Sequence, residues 1–153
     1  MQLAQFNIAR LKHDPDDPRV APFMQALDKV NAVAERMPGF VWRYKDDSGN
    51  ATATQVSQNP RVIVNMSVWE DAKSLEEFVW KTVHERFYTK RGEWFEPYGK
   101  ANLVMWWVED GHEPTVSEAL MRLGTLQAGG PSEKAFGWES LQDANLWREK
   151  RCA

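Results

Sequence analysis

The sequence predicts an α+β fold with a ferredoxin-like β-α-β-β-α-β order, one antiparallel four-stranded sheet, an extra C-terminal helix and a tail. Three observations carry this. Apolar runs of strand character stand at residues 2–11, 40–47, 61–70 and 102–108. Stretches with an apolar period near 3.6 separate the first run from the second and the third from the fourth. The second and third runs follow each other with no helix between them. That is the split βαβ pattern, which places both main helices on one face of the sheet. A chain of 153 residues suffices for one such core. We divide it into a ferredoxin-like domain over 1–130 and an extension over 131–153.

The elements follow in order. In "QLAQFNIARL" Phe6, Ile8 and Ala4 share one face and Leu3, Gln5, Asn7 and Ala9 the other. "KHDPDDPR" is a turn dense in Asp and Pro, where Asp16 or Asp17 can cap a helix and Pro18 suits its first position. Pro22 delays regular helix to about Ala21. Val20, Phe23, Met24, Leu27, Val30, Val33, Ala34 and Met37 then keep helical spacing until Pro38-Gly39. "FVWRYKDD" is the second strand, and "DDSGNATATQVSQNP" a polar connection, long for a hairpin. "RVIVNMSVWE" is the third strand. Ser74 with Glu77 forms a capping box for the next helix, which continues through "HERFYTKRGEWFEP" with a bend until Pro97. "NLVMWWV" is the fourth strand. Thr115 and Glu118 open another helix, which Gly129-Gly130-Pro131 ends. In the tail, "AFGWES" reads as a short edge strand and "SLQDANLWREK" as a weak final helix.

Composition sets limits. Net charge is −3, which argues against a nucleic-acid surface or a polybasic membrane patch. No apolar run approaches the length of a membrane span, and the N-terminus lacks the pattern of a signal peptide. The single cysteine, Cys152, cannot form an internal disulfide. A cytoplasmic protein is the expectation.

Within "LVMWWV" no position of either parity is polar, so both faces of the fourth strand need cover. A fully buried Trp, about 200 Å² at about 25 cal/mol per Å², represents up to about 5 kcal/mol. Trp106 and Trp107 point to opposite faces, so one lies on the face that the main helices leave bare. The expectation is that a second copy of the chain covers it, two sheets packing face to face in a homodimer. The alternative is cover by the C-terminal helix and tail alone.

The motifs "LAQFNIAR", "PGFVWRYKDDSGNAT", "VNMSVWEDAKSLEEFVW", "RGEWFEP", "LVMWWVEDGHEPTVSEALMRL" and "GPSEKAFGW" follow in this order up to about Trp138. The chain in this region resembles the bacterial domain-of-unknown-function 3291 family of the dimeric α+β barrel proteins, whose relatives include antibiotic-biosynthesis monooxygenases. The resemblance implies a homodimer with a ligand cavity between sheet and helices or inside the barrel. It implies cofactor-free oxidation of an aromatic or polyketide-like compound, with haem binding or degradation as the alternative. The fold itself does not fix the chemistry.

Three residues are the catalytic candidates. Asn7 is an amide in an otherwise apolar strand, and by position it matches an Asn that holds substrate or oxygen in relatives. His84 falls on one helical stripe with Tyr88, Arg91 and Phe95, so an imidazole beside a phenol and Arg91 could move a proton or hold an anion. Asn65 and Ser67 form a polar parity on the third strand that either lines the same cavity or makes a structural network. Trp42, Trp94 and Trp106 join Tyr88, Phe95, Asn65 and Ser67 as candidate ligand contacts, although core packing is the default for each tryptophan. No dinucleotide fingerprint, phosphate loop, nucleophile elbow or metal-ligand spacing is present in the sequence. The expected partners are therefore a small-molecule ligand and a second copy. A non-catalytic dimeric binding protein is the remaining alternative.

Overall fold

The computed structural model describes residues 1–142 and 146–147. In order these form β1 (Gln2–Arg10), a 3-10 turn at Pro18–Val20, α1 (Ala21–Arg36), β2 (Phe40–Arg43), β3 (Val62–Trp69) and α2 (Ala72–Lys81). Then come α3 (Val83–Thr89), α4 (Arg91–Trp94), β4 (Leu103–Val108), α5 (Val116–Gly129) and a 3-10 turn at Trp138–Ser140. The strands make one sheet in the order β2-β3-β1-β4, antiparallel throughout. This is the α+β, ferredoxin-like arrangement that the sequence predicts. Among the described residues no helix is long and apolar enough to cross a membrane.

Local chemistry sets the boundaries. Asp17 caps the 3-10 turn by accepting from the Arg19 amide at 2.8 Å, and Pro18 follows it. Ahead of α2 the cap is Asp71, whose carboxylate accepts from the Ser74 amide at 2.8 Å. The expected Ser74 cap gives way because a carboxylate three residues earlier already satisfies that donor. The long helix expected after it is broken at Thr82, which is extended. Its hydroxyl donates to the Phe78 carbonyl at 2.6 Å and accepts from the His84 amide at 3.3 Å, ending one helix and starting the next. β2 stops at Arg43, short of the expected residue 47. Asp46 there turns the chain by accepting from the Ser48 amide and the Thr54 hydroxyl, each at 2.9 Å. The expected edge strand at 135–140 is reduced to one bridge, Met105 to Phe136, and a 3-10 turn. The final helix and Cys152 fall largely or wholly outside the described residues.

Strand parity then sorts the core. Leu3, Trp69 and Met105 face α1 and α2, packing with Val30, Ala34, Leu75, Phe78, Phe136 and Trp138. Farther along the same face, Leu11, Ile63, Val20 and Trp94 make a separate cluster with Phe23 and Phe95 against it. The opposite face carries Phe6, Ile8, Val64, Met66, Val68, Val104 and Trp106.

That opposite face is not bare. Ala119, Leu123 and Leu126 of α5 lie on it, with Tyr44, Ala51 and Val56 of the connection after β2. Trp106 is 0% exposed within one chain, and its indole donates to Glu118 Oε1 of α5 at 3.1 Å. This corrects the expectation that a second copy must cover the face: α5 does so, and the burial argument for a homodimer falls away. Trp107 lies on the α1 and α2 side at the sheet edge, 39% exposed, with its ring 6.2 Å from that of Phe136.

Two outcomes follow for stability. Gly39, between the Met37 cap of α1 and the start of β2, has φ +85°, and a Cβ there would overlap the Ser74 side chain. Gly39→Ala is expected to cost about 2 kcal/mol or more, from left-handed strain and the clash together; urea unfolding reads it as a lowered midpoint at constant slope. Leu123→Ala, at a site 4% exposed beneath α5, is expected to cost about 2–5 kcal/mol in the same measurement. A cost near zero would mean that α5 does not seal this face.

Candidate functional site

The two apolar clusters under α1 are separated by a polar row. Gln5 and Asn7 of β1 stand in register with Ser67 and Asn65 of β3, so four polar side chains share the helix-facing side of two central strands. Gln5 is 5% and Ser67 7% exposed. Burial of such groups demands hydrogen bonds, and the row supplies them. Gln5 Nε2 donates to Asn65 Oδ1 at 2.8 Å and to Ser67 Oγ at 2.9 Å. Trp69 Nε1 also donates to Ser67 Oγ, at 2.9 Å. The amide hydrogens of Gln5 and the oxygen of Asn65 are thereby engaged, which leaves Asn65 Nδ2 as a donor.

Asn65 is the one exposed residue of β3, and every other residue of that strand is buried. A solvent-reached amide in the middle of a central strand, on the side the helices cover, marks an opening between the two clusters. Asn7 is half-buried beside it. In α1, Leu27 is half-buried and belongs to neither cluster, whereas Phe23 and Met24 join one and Val30 the other. At the β2 end of the row stands Arg43, in register with Ser67. Its guanidinium is 2.6 Å from Glu35 of α1, with the Arg43 side chain only 13% exposed. Arg43 and Gln5 went unrecognised in the sequence reading. Arg43, a charge inside the apolar run "FVWRY", was the available signal.

The other predicted site residues are dispersed. Trp42 and Trp106 belong to the α5 side of the sheet, away from Asn7. The stripe from His84 to Phe95 does not form, because the helix breaks after Thr89 and Phe95 is extended. Tyr88 packs edge-on against Trp80, with ring centroids 4.7 Å apart. The Arg91 guanidinium lies 3.8 Å above the Tyr88 ring and donates to the Tyr88 carbonyl. Trp94 and Phe95 pack with Phe23 in the cluster that borders Asn65 through Ile63.

His84 tilts against Phe78, centroids 5.1 Å apart, and its Nδ1 is 3.3 Å from the Val79 carbonyl. Phe78 in turn stacks on Trp69. Burial pushes the imidazole below the usual histidine range, and the Val79 carbonyl opposes this only in part. The ring is therefore held neutral as a packing element. It makes no hydrogen bond to the polar row among the described residues. Nor do three residues of the His, Cys, Asp and Glu types gather as a metal-holding group among the described residues.

The lowered His84 value has a consequence for stability. The unfolded chain takes up a proton near pH 6.5, whereas the folded chain resists until lower pH, so the unfolded state binds more protons in that window. Stability therefore falls as pH drops below about 6.5, until the folded pKa is reached. His84→Gln is expected to flatten this part of the profile, read as the difference in urea midpoint between about pH 5 and about pH 8. An unchanged difference would show that His84 is not the group responsible.

A family model described as a domain of unknown function, DUF3291, matches residues 2–152, and so reaches past Trp138, where the resemblance noted in the sequence ends. No curated protein matches the chain. Among solved structures, the NE2512 protein of unknown function from Nitrosomonas europaea is similar at 11% identity and a TM-score of 0.51, covering 74% of this chain and 95% of that one. Protein SO0527 from Shewanella oneidensis has 14% identity and a TM-score of 0.48, covering 68% of this chain and 85% of that one. SnoaB, a cofactor-independent oxygenase from Streptomyces nogalater, has 14% identity and a TM-score of 0.48, covering 71% and 94%. At these identities the likeness concerns the fold.

Proposed function

This chain belongs to the domain-of-unknown-function 3291 family, and we propose that it binds a small aromatic compound bearing a carbonyl or phenolate oxygen in the opening between the sheet and α1. The observation that supports this reading is the exposed Asn65 amide between two buried apolar clusters. Its Nδ2 offers a donor whose direction is fixed by the bond from Gln5 to its oxygen. A preorganised donor of this kind stabilises charge on an acceptor oxygen without reorganising. Phe23, Leu27 and the neighbouring apolar clusters supply flat, non-polar walls, the usual complement to a few fixed polar groups. Asn7, the remaining polar side chain of the row, is the second residue we assign to the same ligand.

The reaction proposed for this site is oxidation of an electron-rich ring by dioxygen without a bound cofactor. Loss of a proton from a ring methylene next to the aromatic system gives an anion whose charge spreads onto the carbonyl oxygen, where Asn65 Nδ2 would hold it. The anion reduces dioxygen. One oxygen atom ends in a new carbonyl at the former methylene, and the other leaves as water with the two methylene hydrogens.

Dihydroxyanthrone serves as the probe. Binding is read by native mass spectrometry, and turnover by dioxygen uptake together with quinone absorbance. We expect saturable binding, weakened about tenfold or more in Asn65→Ala, the loss associated with a hydrogen bond to a charged group. Uptake should stand at one dioxygen per quinone formed and fall with it. Binding that is indifferent to Asn65→Ala and Asn7→Ala would overturn the site. Binding without turnover would retain the site and overturn the oxidation.

A further inference from the structure

A cavity of about 330 Å³ opens at the start of β4, and none of its lining residues belongs to the polar row. Its walls include Leu103, Leu126, Pro131 and Trp138, with Asn102 and Glu139 as the polar residues. Among the described residues Glu139, which is exposed, is the only charged residue that lines it, and its carboxylate forms no ion pair with another of them. The C-terminal end of α5 meets the same cavity at Gly130, which also lines it. Gly130 sits at φ +75° and its amide satisfies the Leu126 carbonyl at 2.9 Å. The carbonyls that follow in the last turn have no partner within the helix, and they give that end a partial negative charge.

The position of the carboxylate has its own cause. A Cβ at Gly137 would come within 2.8 Å of Glu139 Oε2. The missing side chain at 137 thus leaves room for Glu139 to fold back against the backbone at the cavity wall. Two features therefore coincide among the described residues: a carboxylate without a cation and the negative end of a 14-residue helix. Each favours positive charge, and the aliphatic walls favour an apolar group attached to it.

We propose that this cavity is a binding site for a small organic ammonium, an amine carrying one aromatic or branched alkyl group. The ammonium sits between Glu139 and the α5 terminus, and the apolar group rests on Leu103, Leu126 and Trp138. The site is independent of the opening at Asn65.

The test is titration of the full chain with benzylamine, and in parallel with benzyl alcohol, its neutral counterpart. Both are followed by two-dimensional amide and indole NMR. The expected result is a saturable shift of the Gly130, Gly137 and Trp138 signals with the amine, and about two- to fivefold weaker binding of the alcohol, the gain expected from one exposed ion pair. Glu139→Gln should weaken the amine about two- to fivefold. Gly137→Ala retains the charge but displaces it, and should weaken the amine to a similar degree. Equal binding of amine and alcohol would overturn the proposal. So would an affinity unchanged in both variants, or amine shifts confined to other acidic surface residues.

Discussion

The sheet is apolar on both faces, and the rest of the molecule is arranged around that constraint. β1 sends Leu3 one way and Phe6 the other; β4 does the same with Met105 and Trp106, and all four are 0% exposed. Two helices follow their strands onto one face, as a split βαβ order requires. The second face has to be closed by chain that comes later, and α5 closes it. The bond from Trp106 to Glu118 matters here because an indole N–H buried without an acceptor would cost roughly 1–3 kcal/mol. Glu118 also accepts from, or pairs with, His112 Nε2 at 2.8 Å. One carboxylate thus joins the buried face of β4, the turn after it and the first turn of α5. The Thr115 hydroxyl, accepting from the Glu118 amide at 3.1 Å, starts the helix at the residue that makes this connection.

With both faces closed, the polar row under α1 becomes conspicuous. Leucines or valines at Gln5 and Ser67 would bury as readily and need no partners. The row instead spends three side-chain hydrogen bonds on holding one amide, Asn65, in a solvent-reached position. A buried network of this kind is useful when every member is satisfied, because it then fixes orientation more firmly than apolar packing. Gln5 bridges Asn65 and Ser67, and Ser67 in turn is held by the Trp69 indole, itself stacked on Phe78. The support runs from the core outward, and it ends at the residue that meets solvent.

Much of this was legible in the sequence. Period and parity gave the strands, the sheet class, the main helices and the faces of Asn7, Asn65 and Ser67. Those signals are local, and the sheet repeats them faithfully. What escaped depended on choices between local alternatives or on distant contacts. Asp71 displaced Ser74 as a cap because both satisfy the same rule. The stripe from His84 to Phe95 looked continuous because helical spacing does not register the break after Thr89, where α3 gives way to the single turn of α4 and an extended Phe95. The face taken by α5 was invisible, since an amphipathic helix states that it has an apolar side but not which side of a sheet receives it. Arg43 was overlooked because its orientation depends on the irregular register between Phe40 and Trp42.

The same contrast explains why the edge of the sheet is held differently from its faces. β4 is an outer strand, and an outer strand offers unpaired backbone groups to any passing chain. Met105 exchanges both of its backbone bonds with Phe136, at 2.7 and 3.0 Å. That single bridge draws the segment after α5 along the edge and carries Phe136 and Trp138 into the core under the main helices. Ala135, one residue earlier, packs on the opposite side with α5. Consecutive residues thus enter the two cores from the edge, as strand alternation would dictate, although no strand forms. The segment after α5 therefore closes the third exposed side of the sheet, and by ending in Trp138 and Glu139 beside the α5 terminus it also builds the cavity at the start of β4.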